Sequence, residues 1–203
     1  MSTTTHLRRA GPALGFGFLL AFSSSVGQTY FISMFAGEIR AELNLTHGGF
    51  GVLYTVATLA SAAALLWLGK RADRFDLSLL STLTLAGLAG CALIMASVNS
   101  VAMLCVALFG LRLFGQGLLS HLTMTAMGRW FSTERGRALS VATLGFPAGE
   151  ALFPILAALL LTLLTWREIW TGAAVGVIVV MLPAVRWLGR LVRMRGLDEP
   201  EHE

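Results

Sequence analysis

Six long runs of apolar residues constrain this chain more than any other feature of its sequence. Each run has about 20 or more residues, which at a helical rise of about 1.5 Å per residue crosses a hydrocarbon core about 30 Å thick. We therefore predict an all-α membrane protein whose six transmembrane helices form one bundle. The predicted spans are residues 12–35, 48–68, 77–97, 101–127, 137–164 and 169–189.

The composition supports a lipid environment for most of the chain. Of its 203 residues, 56% are hydrophobic and only 13% are charged, which is more apolar surface than a soluble domain of this length can cover. Cys91 and Cys105 both lie in apolar runs, where cysteine packs as a small hydrophobe, so we predict no disulfide and no metal site. We expect residues 1–195 to form the bundle and residues 196–203 to form an acidic cytoplasmic tail.

The basic residues indicate how the bundle is oriented. Twelve of the fifteen lysines and arginines lie near the N-terminus or after the second, fourth and sixth runs, whereas the other loops carry only Arg40 and Arg167. The positive-inside rule then predicts that both termini are cytoplasmic. The net charge of +4 comes from basic residues at the ends of the runs, where they set the orientation of the helices in the membrane. We therefore expect the partner to be a lipid bilayer and not a nucleic acid.

The last basic segment, residues 186–195, has arginines at three- and four-residue spacing. This spacing predicts a basic helix end lying on an anionic membrane surface. We expect the helix to continue past Gly196 and to end at Pro200.

The loop after the second run carries a motif, Gly69-Lys70-Arg71-Ala72-Asp73-Arg74-Phe75-Asp76. It is similar to the G-x-L-A-D-R-x-G-R-R/K loop between helices two and three of the major facilitator superfamily of transporters, although Arg71 and Asp76 depart from that pattern. Three further segments resemble patterns of the same family: RLFGQG at 112–117, RWFSTERGRAL at 129–139, and the glycines four apart before a proline at 145–154.

The resemblance implies one half of a transporter. Complete members have two six-helix bundles with the substrate path between them, and this chain resembles the N-terminal six-helix half. We expect this chain to be half of a secondary active transporter that moves a small organic solute across the bacterial inner membrane by alternating access. It would need a second six-helix half, supplied by a homodimer or by a separate chain. The alternative is a truncated inactive fragment or a non-transporting membrane subunit, and the acidic end after Pro200 favours some form of truncation.

A third possible class of function is an intramembrane enzyme. The chain has no Gly-x-Ser-x-Gly elbow, no His-Glu-x-x-His pair and no phosphate-cradling loop. We therefore expect neither an enzyme nor a bound cofactor.

Two charged residues lie inside predicted spans. Arg112 stands well inside the fourth span, where an unpaired guanidinium costs from about 2.5 to more than 10 kcal/mol, so it requires a partner or water. Glu150 is the only acid inside a span and lies at a similar depth. We expect the two either to form a buried ion pair or to flank one water-filled cavity in which Glu150 carries a proton.

Several uncharged polar residues are candidates for binding a solute. Gln28 is the best candidate for a direct hydrogen bond, and the alternative for such residues is hydrogen bonding between helices. The predicted substrate-binding residues are Gln28, Tyr30, Tyr54, Thr58, Arg112 and Gln116.

Two further sets of residues are expected to take part in the conformational changes of transport. Gly145, Pro147 and Gly149 predict a bend in the fifth span, because proline removes a helix hydrogen bond and glycine allows close packing. The resemblance implies a cytoplasmic gate in which Asp73 and Arg129 are the central residues. The predicted gate comprises Gly69, Asp73, Arg74 and Arg129.

Overall fold

A computed structural model describes residues 3–72 and 75–196, with side chains for 10–70 and 75–196. Within these ranges the chain is helical and contains no strand. The helices are α1 Thr3–Ser23, α2 Thr29–Ser33, α3 Ala36–Glu42, α4 His47–Ala72, α5 Leu77–Ala96, α6 Val101–Gly110, α7 Ser120–Trp130, α8 Arg135–Thr143, α9 Gly145–Leu160, α10 Trp166–Gly176 and α11 Leu182–Met194.

The described helices combine into six segments that are long and apolar enough to cross a membrane. They are Ala10–Ser33, His47–Lys70, Leu77–Ala96, Val101–Trp130, Arg135–Leu160 and Trp166–Met194, called here the first to sixth spans. The prediction of six transmembrane helices in an all-α protein is confirmed. The sixth span starts three residues earlier than expected because Thr165 and Glu168 form a capping box there.

The first span lies at the centre of the bundle. It packs against the fourth span through α7, the fifth through α8 and α9, and the sixth through α11. In the most apolar part of each span, 67% of the first is buried inside the protein, against 11% of the second and 17% of the fifth. The second and fifth spans therefore present most of their surface outward.

Aromatic rings anchor α2 to the sixth and fifth spans. The ring centroids of Phe31 and Trp170 lie 5.0 Å apart, those of Phe35 and Trp170 5.5 Å, and those of Phe31 and Phe153 5.4 Å. Such pairs contribute about 0.5–1.5 kcal/mol each beyond the burial of their area. This cluster holds α2 in place although the helix has only five residues.

Arg167, at the start of α10, joins three elements at the end of the bundle opposite the termini. Its guanidinium donates hydrogen bonds to the carbonyl oxygens of Ala96 (2.8 Å) and Val98 (2.5 Å) and forms an ion pair with Glu42 of α3. The guanidinium also lies 4.3 Å from the centroid of the Trp166 ring. One side chain thus caps the C-terminal end of α5 and holds α3 against it.

At the end that carries the termini, the sixth span runs past the predicted residue 189, but its helix ends before Pro200, where the sequence predicted the helix end. Helix α11 ends at Met194, and Gly196 has a left-handed backbone with a φ of 61°. Glycine adopts this conformation readily, so the helix ends there and the expectation that it runs to Pro200 is wrong. The predicted tail beyond Gly196 lies outside the described residues.

Candidate functional site

The first span is interrupted just before Thr29. Helix α1 ends at Ser23, a 3-10 turn covers Ser24–Gly27, and Gln28 is extended with φ −80° and ψ 153° before α2 begins. The Ser24 hydroxyl donates to the carbonyl oxygen of Ala21 at 2.7 Å, a local bond that competes with regular helix geometry. The sequence predicted one continuous helix here, and that part of the prediction is wrong.

A second irregular segment lies beside this break. The fourth span is π-helical over Leu111–Leu119, a wider winding that is rare and occurs often at functional sites. The 3-10 turn of the first span packs directly on it. Two interruptions of regular helix therefore meet at one place in the bundle.

Arg112, in the π-helical segment, reaches the first and second spans. Its Nη1 donates to the hydroxyl oxygen of Thr29 at 3.0 Å, and its guanidinium carbon lies 5.4 Å from the centroid of the Tyr54 ring. The Tyr54 hydroxyl donates to the same Thr29 oxygen at 2.9 Å. Arg112 is only 8% exposed, whereas Thr29 is exposed. We call Thr29, Tyr54 and Arg112 the arginine cluster.

The other predicted substrate-binding residues lie around this cluster without joining it by a hydrogen bond. Gln28 donates through Nε2 to the Ser24 hydroxyl at 3.4 Å, within its own span. Gln116 is half-buried, and its Oε1 has no hydrogen-bond partner among the described residues. Thr58 is half-buried on α4, and the described residues likewise offer its hydroxyl no partner.

Glu150, the second charged residue predicted inside a span, lies in the fifth span. It is exposed on α9, and no ion pair joins it to Arg112 in the described part of the chain. The preceding residue, Gly149, packs on the break: a methyl group there would stand 1.9 Å from the Ser25 hydroxyl oxygen and 3.3 Å from that of Tyr30. Of the two expected arrangements, the buried ion pair is not formed in this structure, and the shared cavity with a proton-carrying Glu150 stays a prediction.

The fifth span is divided where the sequence predicted a bend. Helix α8 ends at Thr143 and α9 begins at Gly145, while Pro147 has no N–H to donate to the Thr143 carbonyl. A methyl group on Gly145 would lie 2.3 Å from the carbonyl oxygen of Phe18, so the fifth span crosses the first in backbone contact at this point.

The predicted gate is described only in part. Asp73 and Arg74 lie outside the described residues. Gly69 is buried on α4 and would place a methyl group 3.7 Å from Nε2 of His121. Arg129 is exposed at the end of α7 and donates from Nη1 to the Phe75 carbonyl oxygen at 3.2 Å.

Asp76, which departs from the family motif, has a structural role at the same end. Its Oδ1 accepts a hydrogen bond from the Leu79 N–H at 2.7 Å and caps α5. Its other carboxylate oxygen forms an ion pair with Arg193 of α11. The residue therefore ties the start of the third span to the end of the sixth.

Thr29 is the member of the site that sequence reasoning missed. Counting along a regular helix does not predict that Thr29 faces Arg112, because the break at Gln28 changes the direction in which the residues after it face. A cavity of about 380 Å³ between the first, fifth and sixth spans lies apart from the arginine cluster and has an apolar lining that includes Phe22, Phe153 and Val177. The chemistry of the site is therefore concentrated at the cluster.

Comparison with known protein families gives a match over most of the chain. A family model described as Major Facilitator Superfamily matches residues 17–203. Neither the curated proteins nor the solved structures gave a match.

Proposed function

The chain belongs to the Major Facilitator Superfamily, and from this premise we propose that it is one half of a secondary active transporter. Members of this family are membrane transporters and not enzymes. The half would move a small organic solute by alternating access once a second six-helix half completes the path.

The arginine cluster carries this proposal. A charged and hydroxyl-bearing group inside a membrane span is costly in lipid and is tolerated where it faces protein or a water-filled cavity. Thr29 is exposed in the isolated chain, while Arg112 behind it is buried. A solute path on the exposed side of Thr29 accounts for both observations.

The surfaces of the second and fifth spans support the need for a second half. Both spans are mostly exposed in the single chain, and the exposed residues of α9 include Leu152, Ile155 and Leu159. Since the two halves of a family member are related by an axis along the membrane normal, a parallel two-fold homodimer or a separate chain can cover these faces.

The proposed orientation places both termini in the cytoplasm of a bacterium. Its support is the excess of lysine and arginine on the loops at the end that carries the termini. At that end we propose a cytoplasmic gate formed by Gly69, Asp73, Arg74 and Arg129. The division of the fifth span near Gly145 would supply the bend that such a gate needs.

The residues that we propose to contact the solute are those of the arginine cluster, which includes Tyr54, together with Gln28, Tyr30, Thr58 and Gln116. Glu150 is proposed as the proton carrier, because it is exposed beside the first-span break and has no cationic partner among the described residues.

Uptake by the purified chain in liposomes tests the proposal. We expect accumulation of at least one small organic solute from a chemically diverse panel, and a mass in detergent that corresponds to two copies or to this chain with a co-purified partner. Arg112→Met is expected to abolish uptake, and Leu163→Ala, which removes an exposed apolar side chain in the turn after the fifth span, is the control. A strictly monomeric preparation that moves no solute would favour the inactive fragment or non-transporting subunit instead.

A further inference from the structure

The hydroxyl of Thr29 has only one way left to form a hydrogen bond. A hydroxyl oxygen accepts through two lone pairs and donates one proton. Both lone pairs are occupied, one by Nη1 of Arg112 at 3.0 Å and the other by the Tyr54 hydroxyl at 2.9 Å. The Thr29 proton must therefore point to a third partner, and no described residue accepts it. Since Thr29 is exposed, that partner is a group outside the described chain.

The charge behind this hydroxyl is not compensated. Arg112 is 92% buried, and the described residues offer neither a hydrogen-bond partner for its Nε nor a carboxylate for an ion pair. The groups that it does contact, the Thr29 hydroxyl and the Tyr54 ring, are neutral. A buried guanidinium without a counter-charge attracts an anion, and here it also polarises the Thr29 O–H toward an acceptor.

From these two observations we propose that the arginine cluster binds the carboxylate group of a small organic anion, which is the transported solute. The inference rests on the proposed transport function and narrows its substrate class. The Thr29 hydroxyl donates to one carboxylate oxygen, and the charge of Arg112 balances the negative charge of the ligand.

The chemistry of the cluster selects against the other classes of solute. An ammonium group has only donors, so it has no acceptor at Thr29 and is repelled by Arg112. A doubly charged phosphate would leave one negative charge uncompensated, because a single cation stands in the cluster. A neutral amide satisfies the Thr29 proton but supplies no negative charge to balance the guanidinium. The expected preference is therefore for a monocarboxylate.

The test measures binding to the full-length purified chain in lipid nanodiscs at constant ionic strength. The probes are benzoate with benzamide, acetate with acetamide, and inorganic phosphate. We expect at least one carboxylate to raise the melting temperature in a saturable way, while its amide and phosphate do not. Thr29→Val, which keeps the shape and removes the donor, should weaken carboxylate binding about tenfold, and Thr29→Ser should restore most of it. Arg112→Met should abolish the carboxylate-specific shift.

The control is Thr171→Val, because the Thr171 hydroxyl on α10 bonds only within its own helix, to the Arg167 carbonyl oxygen at 2.9 Å. It should bind carboxylate as the wild type does. The inference is overturned if amides bind as well as carboxylates, or if Thr29→Val binds benzoate and acetate unchanged. If Arg112→Met fails to fold, the comparison of Thr29→Val with Thr29→Ser tests the inference. If liposomes accumulate neutral solutes while no carboxylate binds, the carboxylate inference is refuted and the transport function is retained. The absence of any uptake would refute the transport function itself.

Discussion

Gly27 and Gly115 bring the backbones of the first and fourth spans into direct contact beside the arginine cluster. A methyl group on Gly27 would stand 2.1 Å from the carbonyl oxygen of Leu111, and one on Gly115 would stand 2.6 Å from the Cα of Gly27. Both obstacles are backbone atoms, so no change of rotamer relieves them. The position of Arg112 relative to Thr29 depends on this close approach.

Gly27→Ala is therefore expected to lower the free energy of unfolding by about 1–3 kcal/mol, because the two spans must separate to admit the methyl group. The measurement is the melting temperature of the purified protein in detergent. Gly90→Ala is the matched control, since Gly90 lies on α5 with nothing within 4 Å of the added carbon, and alanine there should stabilise the helix by about 0.5–1 kcal/mol. Equal melting temperatures for the two variants would contradict the close contact.

Asp76 offers a separate test at the end that carries the termini. Asp76→Ala removes the cap on the Leu79 N–H and should cost about 1 kcal/mol of unfolding free energy. Asp76→Asn keeps a capping oxygen and loses only the exposed ion pair with Arg193, which is worth about 0–1 kcal/mol. We expect the asparagine variant to melt closer to the wild type than the alanine variant. Equal melting temperatures for the two variants would show that the ion pair, which both variants lose, and not the cap stabilises this junction.

The number and type of spans could be predicted from the sequence because length and hydropathy determine them directly. A run of apolar residues such as Leu77–Ala96 has few alternatives in lipid, where every backbone group must bond within the segment. Arg112 could be singled out for the same reason, since one charge in such a run demands compensation. Hydropathy does not determine how one helix is rotated relative to the next.

The interruption of the first span shows the limit most clearly. Its 24-residue run has the lowest hydropathy of the six but is still long and apolar enough for a span, so length and hydropathy do not reveal the break at Gln28. Three consecutive serines and Gly27 are the local signals, and each is also common in unbroken membrane helices. Because the break redirects Thr29 toward Arg112, the central contact of the site could not be obtained by counting helical turns. Depth alone likewise suggested a pairing of Arg112 with Glu150 that the packing does not form.

Arg167 should be important for stability through contacts that do not involve the arginine cluster. Arg167→Met removes the hydrogen bonds to the Ala96 and Val98 carbonyl oxygens and the ion pair with Glu42. We expect a loss of about 1–3 kcal/mol and faster amide hydrogen exchange at the end of α5. Arg40→Met is the control, because Arg40 donates only to Ala36 within its own helix. A hydrogen-exchange pattern that is the same in both variants would argue against the capping role.

Glu150→Gln tests whether this exposed carboxylate couples proton movement to transport. In liposomes that contain a pH-sensitive dye, the wild type should acidify or alkalinise the interior when a gradient of the transported solute is applied, and the variant should not. Exchange of labelled for unlabelled solute should persist in the variant, because that process needs no net proton transfer. Since Glu150 forms no ion pair with a described residue, its stability should change by less than about 0.5 kcal/mol. Glu38→Gln, on an exposed position of α3, should behave as the wild type in every assay, and intact solute-driven proton movement in Glu150→Gln would assign the proton to another group.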